Sequence, residues 1–331
     1  MDAEYNIYSD KDDWFASSSG ELPCRIGATM KQPNSQMTGA FTLLLSAIIW
    51  GFAFVAQRAS MEHVGPFTFN GIRFALGGLV LIPWILGTRR RGGTPELAAL
   101  PHQLWIAVGL AGLILFVSAN LQQLGLVYTT AGKAGFITGL YVVLVPLLGL
   151  FRRHRVSAFV WIGCGLAATG MYLLSMTGTF SLSLGDALVL ASALGWAVHV
   201  HLVGWMAQRI NPLQVAAFQF AICSILSLAV ALLAETIQWT EILNVGWMIA
   251  YAGILSVGVA YTLQVFGQRR IDPARAGIIL SLEAVFAAVG GWALLGETLS
   301  LRGSIGCAFM LVGMMLAQVR ARRQRLTSNQ S

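Results

Sequence analysis

Long apolar stretches separated by short polar segments run from about residue 39 to residue 319 of this 331-residue chain. Ten of these stretches are long enough to cross a hydrocarbon core of about 30 Å as helices. Because lipid cannot satisfy backbone hydrogen bonds, packed helices are the structure that such stretches adopt. The pattern predicts an all-α integral membrane protein with ten transmembrane helices. The predicted spans lie near 39–58, 66–87, 104–126, 131–151, 157–176, 185–206, 212–234, 245–267, 274–295 and 302–319.

Two copies of one pattern make up this apolar part of the chain. They match at a sequence offset of 146 in the first two spans of each copy and of 142 in the fourth. Each copy holds five predicted spans, and an odd number forces the copies into opposite orientations, as in the inverted repeats of secondary transporters. The sequence therefore predicts one five-helix repeat at 38–177 and a second at 184–319. Matching motifs include Ser46-Ala47-x-x-Trp50 with Ser192-Ala193-x-x-Trp196, and Lys133-Ala134-Gly135 with Arg275-Ala276-Gly277.

The positive charges predict the orientation. With the N-terminus inside, the cytoplasmic segments hold 17 Lys and Arg residues, and the outer loops hold 3, which are Arg58, Lys133 and Arg302. This bias follows the positive-inside rule, so both termini are expected in the cytoplasm. The net charge of +7 then reflects short basic loops that face anionic lipid headgroups. The lipid bilayer is a predicted partner, and nucleic acid is not.

The two ends of the chain are polar. Residues 1–37 carry six acidic residues and no apolar segment of the kind found in a signal peptide. They predict a disordered N-terminal tail, with a translation start at Met30 or Met37 as the alternative. Residues 320–331 predict a basic cytoplasmic C-terminal tail.

Composition limits the chemistry. Charged residues make up 11% of the chain, against roughly 25% in an average soluble domain. The four cysteines have no C-x-x-C spacing, and no phosphate loop of the form G-x-x-x-x-G-K-[ST] occurs. We therefore expect no metal, no cofactor and no ATP hydrolysis, so that gradients drive any solute movement.

Two tryptophans lie deep within predicted spans. Trp50 and Trp196 are repeat equivalents at the offset of 146. A pseudo-two-fold axis in the membrane plane brings such a pair to the two sides of one central cavity. The pair predicts cavity-lining, substrate-binding indoles, with packing or lipid-facing side chains as the alternative.

Glu283 lies near the middle of the ninth predicted span and is the equivalent of Tyr141 at the offset of 142. An ionised carboxylate at that depth costs several kcal/mol unless it is paired, hydrated or protonated. Glu283 is predicted to carry a proton during transport, and Tyr141 to bind substrate in the same cavity. The alternative for Glu283 is permanent hydrogen bonding between helices.

Arg73 is the basic residue that lies well inside a predicted span. Three roles stay open for it. The first role is that of a partner of Glu283 in proton coupling. The second is that of a receptor for a substrate carboxylate, which a guanidinium binds through two parallel hydrogen bonds. The third is that of a side chain that snorkels to the outer headgroups.

Other polar side chains within spans complete the predicted substrate-binding set. The alternative for each is a hydrogen bond across a helix interface, worth about 0.6 kcal/mol on average. Gln122 and Gln264 are equivalents at the offset of 142. His199 shares a helix face with Trp196, whereas His199 and His201 point to different sides and predict no shared metal. The remaining predicted substrate-binding residues are Asn120, Gln123, His199, Tyr261 and Gln264.

Five motifs stand in order across the two repeats. They are Trp50-Gly51-x-x-Phe54, Arg73-Phe74-Ala75, Thr130-Ala131-Gly132-Lys133-Ala134-Gly135-Phe136-Ile137-Thr138, Gly185-Asp186-Ala187 and Leu282-Glu283-Ala284-Val285-Phe286. In this order they resemble the EamA-type members of the drug/metabolite transporter superfamily, over about residues 39–319. The resemblance implies ten helices, a plasma (inner) membrane location and export of small metabolites such as amino acids. His199 and His201 depart from the family pattern, which ties them to a substrate peculiar to this chain.

Three classes of function are open to such a chain. The leading prediction is a secondary active exporter of small metabolites, amino acids or related amphipathic solutes, that works by alternating access, with proton coupling as an option. The alternative is a flippase of a lipid or lipid-linked sugar, which predicts a polar stripe open to the bilayer. An intramembrane enzyme is disfavoured because Glu283, His199 and Arg73 lie on different spans at different depths. The predicted partner is therefore a small-molecule substrate.

Overall fold

The computed structural model describes residues 33–89, 101–129, 131–151, 157–175, 183–295 and 301–328. Within these ranges the regular structure is helical, without a β-strand. Most of the predicted N-terminal tail, the basic clusters at 90–91 and 152–155, and Thr130 of the third motif lie outside the described residues.

Helices follow one another along the whole described chain. The first part holds α1 (Pro33–Ser60), α2 (Pro66–Arg89), α3 (His102–Tyr128), α4 (Ala131–Gly139), α5 (Tyr141–Phe151) and α6 (Ala158–Ser175). The second part begins with α7 (Leu184–Met206), α8 (Pro212–Ala234), α9 (Trp239–Asn244) and α10 (Gly246–Ala250). It continues with a π-helix (Tyr251–Tyr261), α11 (Thr262–Gln268), α12 (Pro273–Leu280), α13 (Glu283–Leu295) and α14 (Leu301–Ser328).

Seven helical stretches of the described chain are long and apolar enough to cross a membrane. They are Ser35–Ser60, Pro66–Gly87, His102–Tyr128, Leu184–Met206, Leu213–Ala234, Gly246–Gln268 and Pro273–Gly290. Three shorter apolar helices cover Ile137–Leu150, Ala158–Gly170 and Leu301–Gly313. The chain is therefore a multi-pass membrane protein, and its membrane-facing surface carries exposed apolar side chains such as Leu113, Ile225 and Val312.

Two predicted spans are each divided into two helices. The break between α4 and α5 falls at Leu140, and the break between α12 and α13 falls at Ser281 and Leu282. At both breaks the backbone tightens, because Leu140 N donates to Ile137 O over 3.2 Å and Leu282 N donates to Ile279 O over 3.2 Å. These i to i−3 bonds are equivalent at the offset of 142, so the two breaks are the same feature in both repeats.

The helices of the two parts pack on one another in equivalent pairs. α2 packs on α8 and α6 packs on α14, and each of these pairs joins one helix to its own equivalent. α3 packs on α7, and its counterpart contact joins α1 to the π-helix and α11. Among the described residues, most helix contacts thus join the N-terminal part of the chain (α1 to α6) to the C-terminal part (α7 to α14).

Close contact of α6 and α14 depends on glycines. An added Cβ at Gly170 would clash with the carbonyl oxygen of Gly306, and one at Gly313 would lie 2.7 Å from the carbonyl oxygen of Gly163. Since the later glycine of each helix meets the earlier glycine of the other, the two helices run antiparallel. Small residues at this spacing let membrane helices approach closely.

Both ends of the described chain extend beyond the predicted spans. α1 begins at Pro33, and α14 continues to Ser328, so most of the predicted C-terminal tail is helical. Arg, Gln and Leu dominate residues 320–326, and all three favour helix, which explains this continuation.

Candidate functional site

A cavity of about 500 Å³, counting the space at its opening, lies between the two repeats. Helices α1, α2, α3, α7, α11 and the π-helix contribute to its lining, together with both divided spans. Ten of its fourteen lining residues form five pairs of repeat equivalents. The pairs are Trp50 and Trp196, Phe54 and Val200, Gln122 and Gln264, Thr138 and Leu280, and Tyr141 and Glu283. The two repeats therefore present largely the same positions to one space.

Most of the predicted site residues meet at this cavity. Seven of the ten line it, and they come from both repeats. These seven are Trp50, Arg73, Tyr141, Trp196, Tyr261, Gln264 and Glu283.

The helix breaks position Tyr141 and Glu283. Each is the first residue of the helix that follows its break, and each side chain is buried, with 4% exposed. The Tyr141 hydroxyl lies beside the Glu283 carboxylate, although Tyr141 Oη and Glu283 Oε1 have no hydrogen bond within the described chain. Gly51 lets α1 approach this point, because an added Cβ there would lie 2.8 Å from the Glu283 carbonyl oxygen.

Aromatic rings form one wall of the cavity. Tyr261, the last residue of the π-helix, lies with its ring centroid 4.7 Å from Trp50 and 6.0 Å from Trp196. Phe220 packs on the other side of Tyr261, with centroids 5.8 Å apart. Offset and edge-to-face arrangements at these distances are favourable, so the rings hold one another in place.

The two indoles have different hydrogen-bond acceptors. Trp196 Nε1 donates to Gln122 Oε1 over 3.0 Å, and Gln122 Nε2 donates to Thr138 Oγ1 over 3.4 Å. Trp50 Nε1 donates to the carbonyl oxygen of Ser256 over 2.9 Å. Both indoles are therefore fixed in the lining, but by different kinds of group.

Arg73 is buried beside the cavity, with 4% of its surface exposed. Its guanidinium carbon lies 5.4 Å from the Phe69 ring centroid and 5.1 Å from that of Phe74. Such cation–π contacts partly offset the cost of burying the charge. In the described chain no ion pair joins Arg73 to Glu283, and the Arg73 side chain is buried against other parts of the protein.

Four lining residues carry buried polar atoms that have no hydrogen-bond partner within the described chain. These atoms are Arg73 Nε, Tyr141 Oη, Gln264 Oε1 and Glu283 Oε1. Buried polar groups in folded proteins are nearly always paired, so each such group calls for a partner from outside the protein. Together they offer a cationic donor, a hydroxyl and two acceptors. Among the described residues no group of three or more His, Cys, Asp or Glu side chains is arranged to hold a metal ion.

Three predicted site residues lie outside the lining that the described residues form. Asn120 accepts from Asn70 Nδ2 over 2.9 Å and donates to Ser227 Oγ over 2.9 Å, which ties α3 to α2 and α8. Gln123 Nε2 lies 3.2 Å from the Met61 sulfur. His199 Nε2 lies 2.6 Å from Gln219 Oε1, and the His199 ring packs edge-on against Trp196. The contacts of Asn120 and His199 join helices, and Gln123 contacts the turn after α1; hydrogen bonding across a helix interface was the alternative for each residue.

The structure also adds lining residues that were not in the predicted substrate-binding set. Phe54, Gln57, Gln122, Thr138 and Ser256 are the polar or aromatic ones. Helical spacing could have found two of them, because residues four and seven positions after Trp50 share its face. The repeat offset pairs Gln122 with Gln264, and this pairing places Gln122 at the cavity too.

A known protein family matches both parts of the chain. The profile of the EamA-like transporter family matches residues 37–176 and again residues 183–318. The chain belongs to the EamA-like transporter family. This confirms the resemblance carried by the five sequence motifs.

Several similar proteins are named as transporters. An uncharacterized transporter of Archaeoglobus fulgidus is 31% identical over 287 residues, which cover 84% of this chain and 85% of the relative. An S-adenosylmethionine/S-adenosylhomocysteine transporter of Chlamydia muridarum is 23% identical over 292 residues, covering 83% and 90%. A crystal structure with 23% identity matches with a TM-score of 0.70, covering 88% of this chain and 98% of that one, which shows the shared fold.

Proposed function

We propose that this chain is a secondary active transporter that exports small amphipathic solutes with an amino-acid group across the plasma membrane. It works by alternating access, with ten spans arranged as two inverted five-helix repeats and both termini in the cytoplasm. The substrate binds in the cavity between the repeats.

The helix contacts support the inverted arrangement. A two-fold axis in the membrane plane makes a helix run antiparallel to its own equivalent, whereas an axis along the membrane normal makes the two parallel. The glycine contacts of α6 with α14 are antiparallel. In α2 and α8, Gly71 meets Leu228 while the later Phe74 meets the earlier Phe220, which is again antiparallel. The double match of the family profile supports the same repeat boundaries.

The observation that carries the proposal is the set of unpartnered polar atoms in a cavity shared by both repeats. Arg73 suits a substrate carboxylate, because a guanidinium donates to both carboxylate oxygens. Glu283 and Gln264 offer acceptor oxygens to an ammonium group, and the rings of Trp50 and Trp196 offer faces for an apolar or cationic remainder. The division of two spans at this site is also typical of transporters, whose broken helices form the binding site near the bilayer midplane.

The relatives narrow the class of solute. The Chlamydia relatives are named for S-adenosylmethionine and S-adenosylhomocysteine, which are both amino acids with a large aromatic group attached. The amino-acid group of such a solute matches the unpartnered polar atoms of the cavity, and its aromatic group matches the aromatic wall. Export of an amino acid or amino-acid conjugate is therefore the function we propose.

Glu283 is the group that we assign to proton coupling. Its side chain is buried, and no basic residue of the described chain forms an ion pair with it. The ionised form is costly at such a site unless a cationic substrate group replaces the missing partner. A proton and a substrate ammonium thus compete for the same carboxylate, which couples their movements in opposite directions.

A transport assay tests the function. Cells that overproduce the protein should tolerate higher concentrations of toxic amino-acid analogues than cells with an empty vector. Proteoliposomes should then show uptake of the protecting compound, driven by a pH gradient. If only fluorescent lipids change leaflet and no soluble compound moves, the chain is a flippase and the proposal is wrong.

A further inference from the structure

The cavity lining departs from two-fold symmetry at the π-helix. Ser256 and Tyr261 of this helix line the cavity, whereas their counterparts at the offset of 142, Ile114 and Ala119, lie outside the lining that the described residues form. Those counterparts belong to α3, which is an α-helix throughout. One repeated element thus has two conformations in the same molecule.

The same place breaks the symmetry of the indole hydrogen bonds. Trp196 donates to Gln122 Oε1 over 3.0 Å. The equivalent bond would join Trp50 to Gln264 Oε1, but Trp50 donates to the Ser256 carbonyl of the π-helix instead. Gln264 is buried, and its Oε1 has no hydrogen-bond partner within the described chain. Of the two equivalent indole–amide hydrogen bonds, the one between Trp196 and Gln122 is therefore formed and the one between Trp50 and Gln264 is not.

We propose that the two indole–amide hydrogen bonds exchange during transport, and that the amide released in each state binds the substrate. This inference rests on the alternating-access function proposed above. When two inverted repeats exchange conformations, the cavity opens to the opposite side of the membrane. The exchange predicts a second state in which Trp50 donates to Gln264, while Trp196 leaves Gln122 free.

The π-helix supplies the element that changes. Backbone bonds in a π-helix run from residue i to i+5, and conversion to an α-helix shifts the following side chains by one position, about 100° around the axis. That rotation moves the Ser256 carbonyl away from Trp50 and turns Gln264 relative to it. In the second state α3 takes the π conformation.

The unpartnered oxygen of Gln264 indicates which chemical group of the substrate binds there. Gln264 Oε1 is an acceptor, and it lies in the same lining as the unpartnered Glu283 Oε1. A substrate group with several N–H donors, such as an ammonium, satisfies both oxygens. Gln264 in this state, and Gln122 in the other, are therefore specificity-determining residues for that group.

Spin-label distances test the exchange without a need for the substrate. The labels are attached to cysteines at Glu62, exposed in the turn after α1, and at Leu243, exposed on α9, after the four native cysteines are replaced by alanine. Electron–electron double resonance on the protein in nanodiscs then gives the ratio of two distance populations. Gln122→Met removes a bond of the present state, and Gln264→Met removes one of the other state. The ratio should change roughly fivefold in opposite directions, which is the effect of one ordinary hydrogen bond.

Controls separate the exchange from general damage. The double variant Gln122→Met/Gln264→Met should return the ratio towards that of the parent, and Gln214→Met on α8, outside the lining, should leave it unchanged. Gln→Asn variants replace the Met variants if the latter are not monodisperse. Shifts in the same direction, or no shift in folded protein, overturn the exchange alone. A single distance in the parent protein, at acidic and at neutral pH, overturns alternating access as well.

Discussion

The ring of Phe74 packs against the ring of Phe220 with centroids 5.9 Å apart, and the two residues are repeat equivalents at the offset of 146. A side chain that contacts its own equivalent lies beside the axis that relates two repeats. Tyr261 packs on both rings, at 6.1 and 5.8 Å, and it also lines the cavity. The cavity therefore lies next to this contact between α2 and α8, which belong to the two halves of the chain.

The glycine contact of α6 with α14 predicts that a glycine-to-alanine substitution there lowers the stability of the protein. Gly170→Ala places a methyl group against the Gly306 backbone, which cannot move away as a side chain can. Overpacking of this kind costs about 1–3 kcal/mol, so the unfolding midpoint in detergent should fall. Gly165→Ala on the same helix is the matched control, since nothing lies within 4 Å of its added Cβ. Equal midpoints for the two variants would show that the close packing of α6 on α14 is absent.

Substitution of Asn120 is expected to affect stability rather than substrate affinity, unlike substitution of the cavity residues. Asn120→Leu removes the hydrogen bonds to Asn70 Nδ2 and Ser227 Oγ, of which Asn70 Nδ2 keeps a bond to the Ala119 carbonyl oxygen, at a cost of about 1–3 kcal/mol for a buried group left unpaired. Thermal unfolding should show lower stability, while the substrate affinity of the folded fraction stays within about twofold of the parent value. A large loss of affinity without a loss of stability would return Asn120 to the binding site.

The sequence predicted how deep a residue lies within its span more reliably than which side of the helix it occupies. Trp50, Trp196, Tyr141 and Glu283 were found because equivalent residues in inverted repeats lie at related depths on both sides of one axis. Asn120 lies at a comparable depth, but it faces α2 and α8, and the low amphipathicity of an apolar helix hides which side faces the cavity.

The hydrophobic pattern of the sequence does not predict the two helix breaks or the π-helix. Predicted spans 131–151 and 274–295 were expected to be continuous, because apolar runs of that length carry no signal for an interruption at Leu140 or at Ser281. The divided helices pack against α1 and α7, which brings together residues more than 50 positions apart. Tyr251–Tyr261 likewise has an ordinary apolar composition. Such tertiary effects routinely override local preference.

Arg73 predicts selectivity for a carboxylate. Arg73→Gln removes the buried charge and the paired donors, so the affinity for an acidic substrate should fall about 10- to 100-fold, the range for hydrogen bonds to charged groups. The affinity for the matching amide or ester of that substrate should change much less. Arg58→Gln, at the end of α1 beside Glu62, is the control charge removal. Equal losses for acid and amide would leave Arg73 as a packing residue.

The bias of 17 cytoplasmic to 3 outer basic residues predicts the topology. Green fluorescent protein fused after Arg325 should be fluorescent, and alkaline phosphatase fused there should be inactive, because the C-terminus stays in the cytoplasm. Alkaline phosphatase fused after His63, in the loop between α1 and α2, should be active. An active phosphatase after Arg325 would contradict the count of ten spans.

Glu283 predicts the energetic coupling. Its carboxylate is buried beside Tyr141, in a cavity where ionisation without a partner is costly. Glu283→Gln keeps the shape and the hydrogen-bonding capacity of the side chain but cannot exchange a proton. Uptake into proteoliposomes driven by a pH gradient should therefore be lost, while exchange of labelled for unlabelled substrate at equal pH persists. Glu62→Gln, an exposed carboxylate outside the cavity, should keep both activities. Gradient-driven uptake that survives Glu283→Gln would assign the coupling to another group, whereas loss of uptake together with retained exchange identifies Glu283 as the site where proton and substrate alternate.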